Sequence, residues 1–281
     1  MNSAECKAEF CVEKQGLPRL VAALQLLPVL RCEQRSICDD IEGLFMLLKR
    51  VAYPCRLNDM IPRFGRPVSV ISLITNDVID YIYDVHGHLI THWNQDLLSH
   101  GALQRYADAI AGQGAPLDDC FGFVDGTVRP ISRPDERQRT VCNGHKRVHA
   151  LKYQSSSLPN GLNGNLYGPV AGQPMCIYGD LAYPLHVHLQ TPSRHVPLAP
   201  LTQDYNEAMS ALRISVEWLF GDVINWFKFL DYKQNLKIRL SSVGKMYVVC
   251  ALLHNAITCL YGNTTSDYFG MEPPILEQYF Q

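Results

Sequence analysis

The hydrophobic pattern changes its period at Cys120, and no other feature restricts the fold as much. Before that point apolar residues recur near every 3.6 positions, the mark of amphipathic helices. Asp40–Val51 is one such run, broken by Pro54 and Cys55. A short segment, Leu57–Phe64, follows from the capping candidate Asn58, and Gly65-Arg66-Pro67 makes a turn. Val68–Val85 is a longer helix with Ile71, Ile74, Val78 and Ile82 on one side. Asn94–Ala111 reads as a further helix and Gly112–Leu117 as a linker. After Cys120 the pattern is that of strands. Phe121–Val128 is aromatic and β-branched and carries one acid; Val148–Ser157 and Leu162–Val170 flank the tight turn Pro159-Asn160-Gly161. Met175–Asp180 is a fourth strand ending in an acid, residues 204–229 form a long helix, and a last helix starts near Ser241 or Ser242. Strands followed by helices predict an α/β or α+β fold with a mixed sheet.

Two regions follow from this change: a helical one over 1–117 and an α/β one over 118–281. Helix, short segment, Gly-containing turn and longer helix, at about 42–85, outline a helix-turn-helix unit. Its contact face would carry Arg63, Arg66, Ser69 and Ser72, with Asp77, Asp80 and Asp84 repelling phosphate at the far end. Residues 1–120 carry 11 Lys+Arg against 15 Asp+Glu, residues 121–281 carry 14 against 12, so a polyanion-binding surface must be local. The strongest candidate is 129–152, where Arg129, Arg133, Arg137, Arg139, Lys146, Arg147 and Lys152 face only Asp135 and Glu136. Lys228, Lys233, Lys237, Arg239 and Lys245, against Asp231, form a second group.

The ten cysteines are scattered with no CxxC pair, which predicts free thiols in a reducing compartment and disfavours zinc. No basic segment followed by an apolar stretch opens the chain, and the apolar runs at 20–30 and 247–260 are short for a bilayer. The expectation is therefore a protein without a signal peptide or a membrane partner.

Three acids stand out by context. Asp125 lies inside an apolar strand, and Asp180 ends another directly after Gly179. A carboxylate so placed is costly unless it is paired or meets a cation. On the long helix Asn206, Ser210, Arg213 and Glu217 are spaced i, i+4, i+7 and i+11, a polar stripe beside the apolar one of Met209, Leu212, Val216, Leu219 and Phe220. Taken together, Asp125, Asp180 and Glu217 suggest a site for a hard divalent cation, Mg²⁺ or Mn²⁺, which favours carboxylate oxygens.

Phe-Val-Asp-Gly-Thr, Ile-Tyr-Gly-Asp-Leu-Ala-Tyr-Pro and Arg-Ile-Ser-Val-Glu-Trp-Leu-Phe-Gly, in that order, resemble the PIF/Harbinger superfamily of DDE transposases. Lys-Phe-Leu-Asp at 228–231 and Ala-Leu-Leu-His-Asn at 251–255 are similar to that family too, and 36 residues separate Asp180 from Glu217. The resemblance spans roughly residues 40–275. It implies an RNase H-like domain that cuts and joins DNA with two divalent metals. Asp125, Asp180 and Glu217 match the three catalytic, metal-holding acids, and Asn206, Ser210 and Arg213 the helix positions leading to the last of them. It further implies action in the nucleus, with the cytoplasm as second compartment, and a separate DNA-binding partner protein.

One departure stands against the resemblance. The family carries a helix opening with His-Asp between its third and fourth strands, whereas here Gly168–Gly172 runs straight into Gln173–Met175. A helix is expected to be missing near 172–173, leaving one sheet face bare and the connection stretched. The competing expectation is thus an inactive transposase relic serving as a DNA-binding or protein-interaction module.

Overall fold

Asp39 caps a helix where the sequence places its first strong amphipathic run. The structure is a computed structural model and describes residues 2–32, 35–144, 146–166, 175–193, 199–233, 236–238 and 242–281. The connection expected to lack a helix falls on 167–174, and both it and Arg239 lie outside the described residues. Two short helices, α1 (Ser3–Phe10) and α2 (Gly16–Ala23), precede a two-stranded ribbon, β1 (Val29–Arg31) with β2 (Ile37–Asp39). In α3 (Asp40–Ala52) the Asp39 side chain caps the helix by accepting the Glu42 N–H at 2.6 Å, and Lys49 and Arg50 sit in the last turn. A 3-10 turn, Leu57–Met60, runs into the single turn of α4 (Ile61–Phe64), which Gly65 ends in a left-handed conformation. There follow α5 (Val68–His86), whose Ile71, Ile74, Val78 and Ile82 are buried, α6 (His88–Thr91) and α7 (His100–Gly112).

The sheet begins with β3 (Cys120–Pro130), followed by β4 (Cys142–Asn143), β5 (Val148–Ser157), β6 (Asn163–Gly164), β7 (Cys176–Tyr178) and β8 (Leu189–Gln190). β3 pairs antiparallel with β5, from Phe123↔Ser157 to Pro130↔Ala150, and β5 pairs antiparallel with β6. On the other side β7 joins β3 in parallel, and β8 joins β7 in parallel. The lateral order β6-β5-β3-β7-β8 is that of an RNase H-like sheet, with β4 added beside the far end of β5. The β5–β6 turn needs its glycine. Gly161 has φ +80°, and a Cβ there would stand 2.2 Å from Asn263 Oδ1. The long helix α8 (Pro200–Trp226) starts with proline at its first position and is followed by a 3-10 turn, Lys228–Asp231. α9 (Val243–Tyr261), α10 (Thr264–Phe269) and α11 (Leu276–Tyr279) complete the chain.

Both faces of the sheet are covered. Phe123, Cys176 and Tyr178 bury against Met209, Leu212, Val216 and Phe220 of α8. On the opposite face the sequence led us to expect bare hydrophobic surface, yet Val124 is 0% exposed and Phe121 and Ile177 are each 1% exposed. These residues share a buried cluster with Ile74 and Val78 of α5 and with Leu252 and Leu253 of α9. The cluster reaches from Cys6 to Phe280 and so crosses the expected 117/118 boundary.

α9 is long and apolar enough to cross a membrane, with mean hydropathy 1.4, but 72% of that window is buried inside the protein. Its polar residues hold the sheet edge. Asn255 Oδ1 accepts the Asn163 N–H at 2.9 Å, while its Nδ2 donates to Asn163 O at 2.9 Å and to the Tyr279 hydroxyl at 2.7 Å. The side-chain amide acts as one more strand residue beside β6. Replacing Asn255 with Leu strands a buried backbone N–H and C=O, and is expected to cost roughly 2–4 kcal/mol. Urea unfolding checks this; a loss below about 0.5 kcal/mol, the level of a neutral surface change, contradicts it.

The neighbouring His254 is 0% exposed, fully enclosed in the core beside Asn255. Burial pushes its pKa down from 6.5 to about 4. The unfolded chain therefore takes up a proton below about 6.5 while the folded one does not. Stability is expected to be constant above that pH and to fall by about 3 kcal/mol by pH 4 from this residue alone. Thermal unfolding between pH 7 and 4.5 in wild type and His254→Gln checks it, the variant losing most of that slope.

Candidate active site

β3 and β7 run in parallel with Phe123 beside Tyr178. One step on, Val124 Cγ1 lies 3.1 Å from where a Cβ on Gly179 would stand, so the register continues past the end of β7. Asp180 follows in the turn after β7, two residues beyond Tyr178, as Asp125 stands two residues beyond Phe123. Each acid lies two residues beyond an aromatic buried against α8, so both point to the α8 side. Asp125 thus lies midway along β3 and Asp180 just past the carboxyl end of the adjacent β7, the region where α/β sheets bind ligands.

α8 supplies the rest. Arg213 Nη1 donates to Asp125 Oδ2 at 2.9 Å, and its Nη2 lies 3.6 Å from Glu217 Oε1 one turn further on. The Arg213 and Asp125 side chains are only 20% and 19% exposed, whereas Glu217 is 57% exposed. One guanidinium therefore gathers an acid from the sheet and an acid from the helix. Asp125 Oδ1 also accepts the Gly126 N–H at 2.7 Å. Asp180 uses Oδ1 to accept the Ala182 N–H at 2.9 Å, which shapes the turn after β7.

The donor chemistry fits a hard divalent cation: three carboxylates on β3, on the turn after β7 and on α8. Their present grouping is different. Among the described residues no three His, Cys, Asp or Glu side chains stand close enough together to hold an ion. Arg213 provides the positive charge between two of the acids.

The other expected residues divide. Asn206 reaches away from the acids: its Oδ1 accepts the Ser193 N–H at 3.0 Å and its Nδ2 donates to Ser193 O at 3.3 Å, tying the segment after β8 to α8. Ser210 is exposed and stands beside the buried Tyr178 hydroxyl. Arg133, Arg137, Arg139, Lys146, Arg147 and Lys152 are all exposed, and the five from Arg133 to Arg147 lie in the excursion between β3 and β5, at the same end of the sheet as the acids. Arg129 is half-buried, with its guanidinium 5.9 Å from the Tyr247 ring centre.

In the N-terminal region Arg66 makes a double hydrogen bond with Glu42, at 2.7 and 2.6 Å, and Arg63 bonds Glu9 at 2.7 Å. Asp80 and Asp84 are bridged by Lys245 at 2.8 and 3.1 Å. Charges that the sequence assigns to a phosphate-facing surface are thus joined to partners far away in the chain.

One neighbour of the acids escaped the sequence reading. Tyr183 lays its ring over Gly179, where a Cβ would stand 2.8 Å from Tyr183 Cδ2, and its hydroxyl reaches within 3.9 Å of a Cβ position on Gly126. It touches the residue beside each aspartate. Only the small residues flanking the acids, Gly179 and Gly126, hinted at such a close approach.

Residues 163–255 match the family model described as DDE superfamily endonuclease. The matched stretch contains Asp180 and Glu217, and its two end residues are the hydrogen-bonded pair Asn163 and Asn255. The match supports a DDE transposase-like family for this chain. No curated protein and no solved structure matches it.

Proposed function

We propose that the chain is a transposase-like nuclease of the PIF/Harbinger branch, cleaving phosphodiester bonds in DNA at Asp125, Asp180 and Glu217. The observation that carries the reading is the Arg213 bridge, which joins the acid of β3 to the acid of α8, with Asp180 in the turn after the adjoining strand. Surface ion pairs join neighbours by chance; this one gathers acids from two layers of the fold. Asp125, Asp180 and Glu217 would hold the divalent cation. When bound it supplies Lewis-acid polarisation of the phosphoryl oxygens and a more acidic water.

The chain's own contributions are positional. Asp125 and Asp180 are fixed by strand pairing, Glu217 by its place on α8, and Arg213 sets the two carboxylates it binds in one orientation. The exposed cations Arg133, Arg137, Arg139, Lys146, Arg147 and Lys152 would neutralise backbone phosphates at the same end of the sheet. Arg63, Arg66 and Arg129 contribute less to that contact, being held by Glu9, Glu42 and Tyr247 respectively. Action in the nucleus and a separate DNA-binding partner protein belong to the same proposal and rest on the family resemblance.

Incubation of the purified chain with supercoiled plasmid tests the reading. Conversion to nicked circles that needs Mn²⁺ or Mg²⁺ and stops with EDTA is expected. Conversion indifferent to both, or no conversion, overturns it.

A further inference from the structure

A groove of about 710 Å³ opens where the turn after β7 meets the start of α8. Its wall contains Tyr183, Pro184, Leu185, Leu201 and Tyr205, with Gln190, Thr191, Ser193 and Thr202 among them. Among the described residues no Asp, Glu, Lys, Arg or His lines it. Tyr183 belongs to both places: the ring that walls the groove also covers Gly179 and approaches Gly126 beside the acids. The groove is therefore continuous with the candidate active site.

Its chemistry selects the part of a polynucleotide that it can take. The described part of this wall offers a phosphate no cation. A nucleobase is flat, neutral and amphipathic, and tyrosine and proline faces with amide and hydroxyl groups are the surface on which unstacked bases settle. Gln190 is suited to reading a base edge. Its Nε2 donates to His186 O at 3.0 Å and to Val187 O at 3.4 Å, and its Oε1 accepts nothing among the described residues. The two hydrogen bonds between Asn206 and Ser193 fix the far wall.

We infer that this groove receives an unstacked nucleobase next to the phosphodiester held at Asp125 and Asp180. The inference rests on the nuclease reading and adds a base subsite to it. Such a subsite makes affinity depend on the base, where the basic excursion between β3 and β5 makes it depend on the backbone alone.

Fluorescence anisotropy with two labelled single strands tests it, using the full chain in EDTA so that nothing is cut. One strand is oligothymidylate; the other has the same length and phosphates but abasic sugars. Wild type is expected to bind the first about 10-fold more tightly, as stacking of one base allows. Thr202→Trp, a change at a partly exposed position that fills the groove, should bind both strands as wild type binds the abasic one, with an unchanged melting temperature. Equal binding of both strands by wild type overturns the base subsite while leaving the nuclease reading standing, and gives the groove to an apolar protein segment instead. Binding of neither strand fails the DNA reading itself, and this inference with it.

Discussion

Replacing Arg213 with glutamine is expected to weaken the cation-free protein and to strengthen its hold on Mn²⁺. Arg213 and Asp125 are both about four-fifths buried, so their pair is worth more than an exposed one, and its loss should cost about 1–3 kcal/mol of stability. The contact with Glu217 is longer and more exposed, at 3.6 Å and 57%, and adds little. The same change removes a fixed positive charge from among the acids. A divalent cation then no longer competes with a guanidinium for Asp125, and affinity should rise about 10-fold, or ~1.4 kcal/mol. Melting temperature against Mn²⁺ concentration reads both effects at once. The variant should melt below wild type in EDTA and recover more of the difference as Mn²⁺ is added. A variant whose melting point ignores Mn²⁺ while wild type responds would make Arg213 a support for the cation site instead of its competitor.

Asp180→Asn should abolish nicking while leaving the fold alone. The amide oxygen of asparagine can still accept the Ala182 N–H that Asp180 Oδ1 accepts at 2.9 Å, so the turn after β7 keeps its shape. Stability should change by no more than about 0.5 kcal/mol. What disappears is one negative charge beside Asp125, and with it a charged donor for the cation. Losing a group of this kind, whose charge acts on the transition state, should lower the nicking rate on the order of 10²–10³-fold. A variant that nicks as well as wild type removes Asp180 from the site. A variant that is inactive but also melts far below wild type is replaced by Asp180→Glu, which keeps the charge and should retain part of the activity.

Strand periodicity made the centre of this molecule legible. Val148–Ser157 has the bounds its pattern predicts, and strand alternation and helical spacing turn Asp125 of β3 and Glu217 of α8 toward the same Arg213. What stayed hidden depends on partners distant in sequence. Arg63 and Arg66 look like phosphate contacts until Glu9 and Glu42 are seen beside them, 54 and 24 residues away. Asn206 reads as a member of the acid stripe, yet its amide faces Ser193. The ribbon of β1 and β2 escaped because three-residue strands show no period. The sheet face expected to be bare is buried in a cluster whose members range from Cys6 to Phe280, long-range packing without a local signature.

Calorimetric titration of Mn²⁺ into the full chain tests most directly whether Asp125, Asp180 and Glu217 act on one cation. Wild type should bind with measurable heat, and Asp125→Asn, Asp180→Asn and Glu217→Gln should each weaken binding at least about 10-fold, the ~1.4 kcal/mol expected for loss of one charged donor. Three variants that bind as wild type does, or a wild type that binds nothing, would contradict a shared site.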